Sequence, residues 1–163
     1  MTGVQTCAFR SVSLSLAGSL VMLFGFGGVL YAVSSAQFVA RLGEVGRVRG
    51  GGVILSAALL GVALAPAWWW AIPSCLLAGL GFYMLHNTLQ INATQMAPER
   101  RGAAVSACAS CFFLGQSAGV VLAGALADHI GTGPMIAVGA LGVLAVALNF
   151  GRLRSNSTLA QHR

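Results

Sequence analysis

The chain contains no lysine and only three acidic residues, Glu44, Glu99 and Asp128. Charged residues make up 7% of it and hydrophobic residues 57%. A soluble domain carries about 25% charged residues, so a globule covered by water is excluded. The apolar stretches lack polar–apolar alternation, which excludes the strands of an outer-membrane barrel. Cysteine is scarce: Cys7, Cys75, Cys108 and Cys111. Cys108 and Cys111 have CxxC spacing, but no second pair completes a zinc site, and the motif lies inside an apolar block. Small residues packing between helices account for it, and no metal ligand is expected. No acid falls in the middle of an apolar block. No serine stands in a recognisable nucleophile elbow, and no acid orients His86 as a base. Catalytic residues and cofactors are therefore not expected, and the chain is read as not an enzyme.

What is present is helix for a bilayer. Apolar blocks run over about 14–40, 51–68, 69–95, 102–127 and 134–150. Such lengths match the roughly 20 residues that cross the hydrocarbon as a helix, the form in which lipid leaves no backbone group unsatisfied. The expected fold class is all-α integral membrane with five transmembrane helices, a bundle over 11–151. Residues 152–163 form a polar tail, expected to be disordered and cytoplasmic.

All nine basic residues are arginine, and the isoelectric point is about 10.1. A nucleic-acid binder would gather them on one polar face among aromatics. Here they sit in short loops, so nucleic acid is not an expected partner. Arg41, Arg47 and Arg49 follow block one, Arg100 and Arg101 follow block three, and Arg152, Arg154 and Arg163 follow block five. The turns after blocks two and four carry none. The positive-inside rule puts the arginine loops and the C-terminus in the cytoplasm. Trp68, Trp69 and Trp70 fall at the opposite interface, where an aromatic belt is expected. The expected location is the inner membrane, multi-pass, with the lipid bilayer as a partner. Arg10 breaks the alternation, but it ends a segment, 1–10, that begins "MTGVQTCA". That segment is read as a translated sequencing-adapter remnant and set aside from fold reasoning, which implies a truncated N-terminus.

Glycine is abundant, at 22 residues, and lies inside the blocks. Gly18, Gly25, Gly28, Ala32 and Ser35 recur through block one. Gly115 and Gly119 form a GxxxG in block four, with Ala123 four residues on. Small residues at these spacings let helix backbones approach closely in lipid. "GFGGVL" from Gly25 has no preceding strand and no acidic partner, so it is not a dinucleotide-binding loop.

Three further runs carry a resemblance: Pro98-Glu99-Arg100-Arg101-Gly102, Leu114-Gly115-Gln116-Ser117-Ala118-Gly119, and Gly124-Ala125-Leu126-Ala127-Asp128 with Gly131. In them the chain resembles the C-terminal part of a major facilitator superfamily transporter, of bacterial efflux type. The resemblance covers about 14–154, as that family's helices eight to twelve. It implies a partial C-terminal half of the major facilitator fold, moving small molecules outward by alternating access. It also implies a missing N-terminal half of the same transporter as partner. The family's loop motif has a poor counterpart at 40–49: its aspartate is missing, and the arginines there are read as topogenic. The alternative reading is a small multi-pass protein with a structural or assembly role.

The run "MLHNTLQINATQMAPERRG" from Met84 ends block three. Counting inward from Trp70 at 1.5 Å per residue, the far boundary falls near Gln90. Asn92, Thr94 and Gln95 are then the wet end of a long helix. His86 and Asn87 lie inside it, and His86 shares a face with Tyr83 and Gln90. Polar groups within a membrane helix face other helices or a cavity. His86, Asn87 and the mid-block Gln116 are the candidate substrate contacts, with interhelical hydrogen bonding as the alternative for each. Glu99, after Pro98, suits a helix start. The triplets at Asn92 and Asn156 match the glycosylation pattern but fall on the cytoplasmic side.

Overall fold

The structure, a computed structural model, describes residues 14–65 and 67–161. The 1–10 segment, with Arg10, lies outside them. The described residues form four long helices and no strand. They are α1 (Leu14–Ala63), α2 (Ala71–Met96), α3 (Arg101–Ile130) and α4 (Thr132–Gln161), with short 3-10 turns at Trp68–Trp70 and Pro98–Arg100.

The sequence leads one to expect five helices, and the structure has four. The residues read as a loop between the first two blocks are helical, apart from one. At Gly43 the backbone takes φ 62° and ψ −168°, a region essentially confined to glycine. A single glycine thus replaces the expected loop, and α1 folds back on itself there. Its neighbours along α2 show this. Gly27 lies on the Leu76 carbonyl and Gly28 against the Tyr83 ring, and further on Tyr31 meets Asn87. The first arm therefore runs parallel to α2. Gly51 lies against Gly81 and Leu85, and Gly61 against Ser74, so the second arm runs antiparallel to it.

This arrangement puts α2 between the two arms. Gly79 lies on the Phe24 carbonyl of the first arm, while Gly81 faces Leu55 and Gly51 of the second. Met84 and Thr88 are fully enclosed, at 1% and 0% exposure. α4 packs on the second arm, with Ala147 against Gly52 and the Arg49 side chain over Gly151. α3 stands at the edge and buries none of its residues. At its end Gly131, at φ 87°, closes the helix with its N–H donating to the Ala127 carbonyl at 2.9 Å, a positive φ that suits glycine.

Three stretches are long and apolar enough to cross a membrane: Gly18–Ala63, Pro98–Ile130 and Thr132–Leu153. They are compatible with a multi-pass membrane protein. The expected third span, over 69–95, is not among them. The polar run from His86 to Gln95 lowers its hydropathy. The tail also departs from expectation, since α4 continues as helix to Gln161.

The glycine pattern is only partly used. Gly18, Gly25, Gly115 and Gly119 meet nothing within 4 Å. The close approaches fall instead at Gly27, Gly51, Gly79 and Gly81, where a side chain would enter a neighbouring backbone. The pairings also sort the ends of the bundle. Arg41, Arg47 and Arg49 at the hinge, Arg100 and Arg101 after α2, and Arg152 in α4 share one end. Trp68–Trp70 and Gly131 share the other.

Candidate functional site

The polar run on α2 divides into residues that serve the helix and residues that face outward. The hydroxyl of Thr88 donates to the Met84 carbonyl at 2.8 Å, the Asn92 amide to the Thr88 carbonyl at 2.9 Å, and the Thr94 hydroxyl to the Ile91 carbonyl at 2.7 Å. These side chains bond back onto their own helix. Asn87 reaches across instead, its Nδ2 donating to the Tyr31 hydroxyl at 3.4 Å, a long bond by the usual range.

Asn87 and His86 belong to an open groove between α2 and the first arm of α1. The groove holds about 630 Å³ and is lined by Gly25, Gly28, Val29, Tyr31, Ala32 and Ser35 on one side and Tyr83, His86, Asn87 and Gln90 on the other. The absence of a side chain at Gly28 makes room for the Tyr83 ring against the α1 backbone. Neither an acid nor an arginine lines it. Its chemistry is that of neutral donors and acceptors, two phenols, an imidazole and two carboxamides, set among small residues.

Gln116 lies elsewhere. It is exposed, and it lines a second cleft of about 920 Å³ with Phe24, Phe82, Cys111, Phe112, Gly115, Val143 and Val146. This cleft is almost wholly apolar. His86 forms the partition between the two. Its ring stacks on Phe82 at 5.4 Å and 7°, and meets Phe112 at 4.9 Å and 58°. Phe24 extends the aromatic wall, 5.6 Å from Phe82 and 6.0 Å from Tyr83. The structure thus brings His86 and Asn87 together and places Gln116 across a wall of rings from them.

Two residues in this arrangement escape a reading of the sequence. Tyr31 is 3% exposed and supplies the phenol opposite Asn87. Its signal was available, as the one phenol in the first apolar block. Phe112 looks like any membrane-helix aromatic, and only the packing of α3 on α2 gives it a part. No known protein family, no curated protein and no solved structure matches the chain.

Proposed function

We propose that the chain is the C-terminal portion of a major facilitator type secondary transporter, and that the Tyr31–His86–Asn87–Gln90 groove borders its solute path. It is a binding and gating element without catalytic chemistry. The observation that carries this reading is the groove itself, a polar strip within an apolar bundle. Polar groups at such depth are costly unless they serve a cavity or another helix. Our reading counts five passes: each arm of α1 reaches about the 20 residues a crossing needs, and α2, whose hydropathy alone does not mark it as a span, crosses between those arms. Arginine at one end and tryptophan at the other then set the orientation, with the arginine end and the C-terminus cytoplasmic and the membrane the inner one. The charge-free lining suits a neutral or weakly polar aromatic solute, held by ring stacking and a few hydrogen bonds, and outward movement follows from the sequence resemblance.

Two experiments test this. Single cysteines at Ala67 and Gly133 should react with impermeant reagent from the periplasm, and one at Gly43 should not; the reverse pattern overturns the orientation. The reading frame recovered from the source should join six or seven further spans upstream of residue 14. A genuine start at Met1 would favour instead a small assembly protein, for which the bare surface of α3 is the natural contact.

A further inference from the structure

The second cleft differs in kind from the groove. It holds about 920 Å³, within the roughly 300–1,000 Å³ that small-molecule sites occupy. All four long helices contribute to it: Phe24 from α1, Phe82 from α2, Phe112 and Gln116 from α3, and Val143 and Val146 from α4. No charged group lines it, and Gln116 supplies its one carboxamide. A largely apolar, aromatic lining with very few polar groups is the usual make-up of a small-molecule site.

The rings leave room for another ring. Phe82 lies 5.6 Å from Phe24 at 47° and 6.0 Å from Phe112 at 54°. The three are tilted to one another, not stacked, and each is part-exposed. Ring surface is therefore left for a further aromatic partner at the usual centroid spacing of about 4.5–7 Å. Depth matters as well. Phe82 stands twelve residues beyond Trp70, about 18 Å along a helix in hydrocarbon about 30 Å thick. An amide at that depth has little water to bond. An acyl chain would fill the apolar space but offer Gln116 nothing, and an ion would find no counter-charge. A neutral aromatic with one acceptor answers both the rings and the amide.

We infer that this cleft binds a neutral aromatic molecule carrying one hydrogen-bond acceptor. Its rings pack on Phe24, Phe82 and Phe112, and the Gln116 amide donates to the acceptor. The inference goes beyond the groove, which meets the cleft only through the His86 wall. For the depth of the cleft it rests on the five-pass reading.

Benzophenone is the probe: two rings and one carbonyl, and on irradiation it labels what it touches. The whole chain in phosphatidylcholine nanodiscs is titrated with it, irradiated, and the labelled positions are read by peptide mass spectrometry. Labelling should saturate and should map to 111–116 and 143–146. Gln116→Leu, which keeps the bulk and removes the amide, should raise the half-saturating concentration about fivefold, the worth of one neutral hydrogen bond. Val146→Trp should abolish labelling by filling the cleft; at 66% exposure the position tolerates a larger side chain in the fold. Val138→Trp, at an exposed position of the same helix outside the cleft, should change nothing. Unchanged labelling in either Gln116→Leu or Val146→Trp overturns the inference. So does labelling that spreads without saturation over the exposed faces of α3 and α4, which is mere partition into lipid. Labels confined to Gly25–Ser35 would put the ligand in the groove, and displacement by dodecane at similar concentration would make the cleft an acyl-chain site; each overturns the assignment. Cysteine labelling of orientation is independent of this titration, so failure of the topology and failure of the site are told apart.

Discussion

α2, with two glycines in 26 residues, and α3, with four in 30, are helices of similar length that live in different surroundings. α2 carries seven polar side chains between His86 and Gln95, and its glycines lie against neighbouring backbones. α3 carries the recognisable GxxxG, yet Gly115, Gly119 and Gly124 meet nothing within 4 Å. The difference comes from the number of neighbours. Gly79 and Gly81 are two positions apart, hence roughly 200° around the helix, and so face opposite arms of α1. A spacing of two serves a helix gripped from both sides. A spacing of four serves one flat face, and in α3 no described residue comes within 4 Å of the glycines on that face. A motif of small residues therefore records a capacity for contact; its use depends on what the fold brings opposite.

The largest expected effect tests this difference directly. Gly79→Leu should abolish monodisperse folded protein in detergent, because its side chain would enter the Phe24 backbone; overpacking costs about 1–3 kcal/mol and occasionally more. Gly119→Leu should leave the yield of this chain unchanged. Equal yields for the two variants would erase the distinction between the helices. Gly43→Ala comes next. A side chain at φ 62° and ψ −168° should cost about 1–3 kcal/mol, read as a lowered thermal midpoint with the helical signal retained. An unchanged midpoint would mean that the two arms do not need that backbone conformation.

Smaller effects sharpen the comparison. His86 is one of the two rings by which α2 meets Phe112 of α3. His86→Ala should loosen α3 by about 0.5–1.5 kcal/mol, seen as faster amide hydrogen exchange through α3 than through α2. Uniform exchange across both helices would argue that α3 is held by other means. Tyr31→Phe removes the acceptor for Asn87 and should cost about 0.6 kcal/mol, the average for such bonds in membrane bundles. Gln116→Ala should cost no stability, since the side chain is exposed. In the complete transporter proposed above it should alter the solute profile; normal transport of every solute would leave Gln116 outside the path.

The distribution of apolar blocks was legible because hydrocarbon imposes a length on every span. The expected ranges 102–127 and 134–150 lie within α3 and α4. The expected loop at 41–50 was not legible. Arginine and glycine there read as a connection, yet helix continues on both sides of Gly43 because one glycine suffices to reverse the chain. On the site, helical spacing was enough to group His86 with Tyr83 and Gln90, since residues three and four apart share a face. The separation of Gln116 from His86 was beyond it. Depth along a helix is countable from the sequence, but rotation about the helix axis toward a given neighbour is not.

The sequence by itself determined the helical character of the chain and the length of its apolar stretches. With 7% charged residues and long apolar blocks, the chain forms helices of a length suited to a bilayer. Tertiary structure alone decided which faces touch. It put α2 between the arms of α1, gave Gly79 and Gly81 their roles and left the glycines of α3 bare. It also turned Arg47 inward while Arg41 and Arg152 stayed exposed. The physical reason is one of range. The preference for lipid and the closing of helical hydrogen bonds are properties of local stretches. Burial of a guanidinium or a bare backbone depends on surfaces that meet only when segments distant in the chain are packed together.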